Sequence, residues 1–156
     1  MVTVARIETG DSKITIDEVK SYIHLIGNER DDELQVMLDA AIAAVEDYCN
    51  ISLRPTTWKL SQDLATDNQK LFYPPVIEVV SINDYDGLQL QYKVLQDIVV
   101  IDTASSFICT YKTGEAEDAN RYKAAVLAYT GLLFDGNDDN NSFNIVMSRY
   151  LPYRML

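Results

Sequence analysis

The sequence predicts an α+β fold, a core of about four helices with a small antiparallel sheet inserted between the first two and the last two. Three observations predict it. Residues 31–50, DDELQVMLDAAIAAVEDYCN, repeat apolar side chains at three- and four-residue steps, the period of a helix with one buried stripe. Residues 56–113 change to short alternating runs broken by turn residues, the period of half-buried strands. Residues 118–134 return to the helical period. With 156 residues the chain is read as one domain, residues 1–156.

In chain order, residues 1–13 read as a loose arm. Thr15 opens the first helix, because Thr15 and Glu18 have capping-box spacing and satisfy each other's free amides. Val19, Tyr22, Ile23 and Ile26 form its buried stripe, and Gly27 is a natural stop. His24, the single histidine, falls outside that stripe. A link of residues 28–30 is short enough to pack this helix against the long one, giving a helix pair over 14–50. In the long helix Leu34, Met37, Leu38, Ala41, Val45, Tyr48 and Cys49 make the stripe, widened by Ile42 and Ala44. Asp31, Asp32 and Glu33 sit in its first turn, where the helix dipole favours negative charge. Asp39, Glu46 and Asp47 lie off the stripe, and no Lys or Arg occurs between Arg30 and Arg54. That acidic face is either the solvated side of a core helix or a negative surface turned toward a partner in an assembly.

Arg54-Pro55 ends the helical stretch. The β segment, 56–113, then reads as a strand over 56–62, a polar loop over 64–70, and a strand over 76–85 that turns at Asp86-Gly87. Next comes an alternating strand over 88–95 with Leu88, Leu90, Tyr92 and Val94 on one face, followed by short strands over 98–101 and 107–111. Such tight turns imply antiparallel pairing. The helix at 118–134 buries Tyr122, Ala125, Val126, Tyr129, Leu132 and Leu133, while Ala124, Ala128 and Gly131 let another helix approach closely. After a loop at 135–141, a last short helix and tail occupy 142–156, with Pro152 limiting the helix.

The net charge is −11, from 24 acidic and 13 basic residues. Such a chain lacks the cations to bind DNA by neutralising phosphates over a broad surface, although it could surround DNA without gripping it. Cys49 and Cys109 have no CxxC partner and read as buried, reduced thiols. No signal-peptide pattern or membrane span is present, so synthesis in a cytoplasm and no membrane partner are expected. Asp135, Asn137 and Asp139 match the first three ligand positions of an EF-hand loop, but Asn140 and Val146 stand where the required Gly and Glu would be. Clustered zinc ligands, a phosphate loop and nucleophile motifs are all missing from the sequence. No catalytic residue, metal site or cofactor is therefore expected, and the chain reads as a non-enzyme.

Ten tyrosines stand against four Phe and one Trp, a bias found at protein interfaces. The C-terminal stretch MSRYLPYRML concentrates interface-type residues: Met147, Arg149, Tyr150, Leu151, Tyr153 and Arg154. It is either a docking element carrying positive charge on an acidic protein, or a tail that folds back on the core.

The ordered set of elements resembles the head–tail connector (adaptor) family of long-tailed phages. ITIDEVKSYIHL, DDELQVMLDAAIAAVEDYCN, LFYPPVIEVVSINDYDG, CTYKTGEAEDANRYKAAVLAYTGLLFD and SRYLPYRML carry the resemblance and span most of residues 14–156. Two departures are visible: Glu115 follows Gly114 where an aromatic is commoner, and the chain stops soon after Arg154. The resemblance implies a structural virion protein of the neck, present as a ring of about twelve copies under the portal. It further implies that double-stranded DNA passes through without sequence-specific binding, and that the neighbours are the portal and a head-completion or tail protein. On that reading Met147, Arg149, Tyr150, Leu151, Tyr153 and Arg154 grip the portal, and Asp39, Glu46 and Asp47 face a neighbouring copy or the DNA lumen. The alternatives are a head-completion stopper or tail-terminator of the same neck, and, from another class, a small acidic host binding module or hydrolase.

Overall fold

The computed structural model describes residues 1–117 and 119–151, the side chain of residue 119 excepted. The class is α+β as expected, with four helices and a five-stranded antiparallel sheet among the described residues. The chain divides into two compact units. One comprises Met1–Asp11 with Ile51–Ala116, the other Ser12–Asn50 with Glu117–Leu156.

The first unit is the sheet. Its strands are β1 (Val2–Thr9), β2 (Leu53–Lys70), β3 (Val76–Asn83), β4 (Tyr92–Leu95) and β5 (Ile98–Glu115). They run in the order β1-β2-β5-β3, with β4 also pairing β5. The expected loose arm is thus an edge strand. Val2 lies opposite Gln62 and Thr9 opposite Thr56, with a bulge between Arg6 and Glu8. Arg6 conceals the strand pattern, because a cation stands on the side that faces the core; its guanidinium lies 4.8 Å over the Trp58 ring. The expected loop at 64–70 is the far half of β2, hydrogen-bonded to β5. It reads as a loop because a ladder needs only backbone groups, and most of these side chains are exposed. In the same way β5 runs unbroken through both of the short strands expected at 98–101 and 107–111. The expected strand at 88–95 shrinks to β4, and Leu88 is exposed.

Trp58, Leu60, Leu71, Ile82, Val99, Ile101, Phe107, Cys109 and Tyr111 form the core of this unit. Trp58 stacks on Tyr73 with ring centroids 4.1 Å apart and planes 2° apart. Its indole N–H donates to Thr113 Oγ1 at 2.7 Å, the Thr113 hydroxyl donates to Ser52 Oγ at 2.9 Å, and the Ser52 hydroxyl donates to the Arg54 carbonyl at 2.8 Å. This relay of hydrogen bonds gives the buried indole N–H of Trp58 and the buried hydroxyls of Thr113 and Ser52 a partner each. At the β3 turn the Asp84 carboxylate accepts from the Asp86 and Leu88 N–H groups, and Gly87 takes φ +89°.

The second unit is helical: α1 (Ile16–Ile23), α2 (Asp31–Cys49), α3 (Ala119–Phe134) and α4 (Asn140–Tyr150). The capping box of Thr15 and Glu18 is formed. The first helix stops earlier than expected, at a left-handed His24 (φ 58°), so Ile26 lies beyond it and is 94% exposed. In α2 the stripe is as read, with Leu34, Leu38, Ala41, Ile42, Val45 and Cys49 buried. A Cβ on Gly131 of α3 would sit 3.4 Å from Ile23 Cγ2, so this small residue is where α1 comes close. Ion pairs Lys123–Glu18 and Lys20–Asp31 tie α1 to α3 and α2. Arg30 pairs with Glu33 at 2.7 Å and lies 4.2 Å over the Phe134 ring.

Candidate docking surface on the helical unit

The acidic loop before α4 is used up in capping. The Asn137 N–H donates to the Leu132 carbonyl and the Gly136 N–H to the Leu133 carbonyl, with Gly136 at φ +81°. That pair of bonds is the Schellman ending of α3. Two residues later Asp139 caps α4, its carboxylate accepting from the Ser142 N–H at 2.8 Å and the Ser142 hydroxyl at 2.9 Å. These bonds hold the Asp139 carboxyl below its ordinary range, the backbone N–H of Ser142 contributing most. The residues that resemble an EF-hand loop are therefore a helix end followed by a helix start. Among the described residues no cluster of His, Cys, Asp and Glu could hold a metal.

Beyond its cap, α4 is pinned by aromatic contacts. Phe143 meets Tyr48 edge-on at 5.8 Å and Tyr129 at 4.9 Å. Val146 and Met147 are buried, and so is Leu151 after the helix. Met147 and Leu151, expected to grip a partner, instead belong to the interior of this unit. They are four residues apart on one helical face, and that face is the one α4 buries. Arg149 is exposed and Tyr150 half-buried, with the Arg149 guanidinium 5.9 Å from the Tyr150 ring. Tyr153 and Arg154 lie outside the described residues. A cleft of about 320 Å³ runs between Tyr22, Leu132, Ile145, Arg149 and Tyr150. The hydrogen bond with Tyr150, with burial second, pushes the Tyr22 phenol above its usual value. Among the described residues, what remains of the expected docking set is one exposed cation beside a half-buried tyrosine, at the mouth of an apolar cleft.

The acidic face of α2 is narrower than its composition suggests. Asp39 is exposed and accepts from Gln35 Nε2 at 3.0 Å, and Asp47 is exposed. Glu46 is fully buried, which corrects its placement on the outer face. Counting the helical period shows why: residue 46 is one turn on from Ile42, two from Leu38, and three residues before Cys49, all buried. The same count, applied to the sequence, finds it. His24 is exposed, and its left-handed backbone closes α1.

Among the described residues no helix is long and apolar enough to cross a membrane. The chain matches the profile of the family described as Phage gp6-like head-tail connector protein over residues 13–102. Several solved structures share its fold. One is the neck of an empty gene transfer agent (GTA) particle computed with C6 symmetry, at 16% identity and TM-score 0.71, covering 99% of this chain and 97% of that chain. Another is the virion of a native GTA particle, at 18% identity and TM-score 0.68, with the same coverage. A third is the neck of a native GTA particle computed with C12 symmetry, at 16% identity and TM-score 0.58, covering 96% and 98%. No curated protein matches the chain significantly.

Proposed function

The chain belongs to the phage gp6-like head-tail connector family, and from that premise we propose that it assembles as a ring in the virion neck, between the portal and the next head-completion or tail protein. The family profile over residues 13–102 is the observation that carries this reading. The fold supports it, since the likeness to GTA neck structures extends over nearly the whole chain. Helices make up 36% and strands 38% of the described residues, and the two long helices α2 and α3 favour a connector over the stopper and terminator proteins of the same neck, which are richer in strand. A ring of about twelve subunits, each at −11, presents a strongly negative wall that a translocating duplex slides past without binding. Asp39 and Asp47 are the α2 carboxylates positioned to contribute to that wall or to a neighbouring copy. The role is mechanical, with no reaction centre and no cofactor.

Portal contact is assigned to Arg149 and Tyr150 of α4 together with Tyr153 and Arg154. Reversing Arg149 and Arg154 to Glu should abolish capture of the chain by immobilised portal without lowering its melting temperature. Undiminished capture overturns this assignment. A deletion strain that still yields tailed particles overturns the connector role itself.

A further inference from the structure

The sheet β1-β2-β5-β3 ends in two open edges, because among the described residues β1 pairs only with β2, and β3 only with β5 along residues 76–81. The far end of β3 is covered: the Leu90 N–H donates to the Ile82 carbonyl at 2.9 Å, and Gln89 bridges Asn83. Soluble proteins guard open edges with Pro, Lys, short strands or inward charges. β4 is guarded in this way, being four residues long with Lys93 in it. Neither VTVARIET in β1 nor VIEVVSIN in β3 contains Pro or Lys; the guards present are the inward Arg6 and the bulge after it in β1, which leave Val2–Ala5 bare, and register shifts after Val76 and Val79 in β3. Exposed apolar side chains flank both edges: Ile7 at 56%, Ile77 at 70% and Val80 at 47%. Strands of this composition are templates for another strand.

We infer that the two edges are the complementary halves of the contact between copies, β1 of one copy pairing antiparallel with β3 of the next. The inference rests on the ring reading above. Strand direction favours it. Every neighbour along β1-β2-β5-β3 is antiparallel, so the two outer strands run in opposite directions. A rotation about an axis along the strands therefore sets β3 beside the next β1 antiparallel, and the hydrogen-bond ladder continues from copy to copy. One edge meets a different edge, as a closed ring requires. Pairing β1 with β1 across a twofold would stop at a dimer and leave β3 uncovered. Main-chain bonds also join copies without opposite-charge side chains, which suits a subunit carrying −11.

The test is oxidation of assembled particles whose chain carries Ala5→Cys together with Ile77→Cys, Glu78→Cys or Val80→Cys. Native Cys49 and Cys109 are buried, and burial pushes the Cys109 thiol up to about 12, so the introduced thiols react first. A covalent ladder extending past the dimer is expected from at least one pairing, with no cross-link from Ala5→Cys alone. A dimer from Ala5→Cys alone, or tailed particles that give no ladder with any pairing, overturns the edge contact and leaves the ring standing. Particles that lack the chain overturn the ring reading and this contact together. Independently, Val80→Lys should keep the melting temperature of the free subunit and lose tailed particles; an undiminished yield of tailed particles overturns the contact.

Discussion

Thr113 holds the most demanding position at the scale of single residues. Its one hydroxyl accepts from the Trp58 indole and donates to Ser52, and all three residues are buried. Thr113→Val keeps the shape and deletes both bonds, leaving an indole N–H with nothing to replace water. The expected cost is about 1–3 kcal/mol, read as a lowered urea midpoint at unchanged slope. Trp58 is the single Trp of the chain, so its emission follows the same transition. Little of this was legible beforehand. Trp58 was readable as a strand residue, but a partner 55 positions away is set by register, and no local pattern encodes register. Glu46 and Arg6 show a related limit. Each is a charged residue on the core-facing side of its element, and composition alone assigns such residues to solvent.

At the scale of elements, the helices were legible because their signals are local. The stripe of α2 and the Thr15–Glu18 box come from residues three or four apart. Thr15→Ala should cost about 1 kcal/mol, measured by chemical denaturation of the full chain. Acid should act on the same helix ends. Lys123 holds the Glu18 carboxyl below its ordinary 4.5, helped by the Thr15 N–H; Arg30 does the same for Glu33, and the Ser142 N–H for Asp139. A carboxyl whose folded value is depressed adds stability above its unfolded value and loses it as the pH falls through the folded value. The denaturation midpoint should therefore drop on going from about pH 5 to about pH 3, and less steeply in Lys123→Met. A midpoint independent of pH over that range would remove these carboxylates from the account. The strands were less legible. The polar half of β2 and the middle of β5 are held by backbone pairing across the sheet, and side-chain periodicity does not report that.

For the whole molecule, charge is the property that composition states outright. A protein at −11 should leave a DNA duplex unshifted on a gel even at low salt, and retarded DNA would contradict the negative lumen. Family membership was legible because it depends on the order of elements, and that order survives local errors such as the loose arm that proved to be β1. The candidate docking surface was legible only in part. The tail composition was visible, but which of its residues the unit keeps for its own interior follows from the burial of Met147 and Leu151.

The two units are interleaved along the chain, each drawing on an early and a late segment. On the ribosome, the strand made first waits for residues 56–62 to emerge, and β2 in turn waits for β5. Likewise α1 and α2 leave the exit tunnel well before α3, against which they pack. Neither half can finish until nearly the entire polypeptide has been synthesised, so maturation is post-translational, and a prematurely terminated product would be handed to chaperones or proteases with both interiors unsealed.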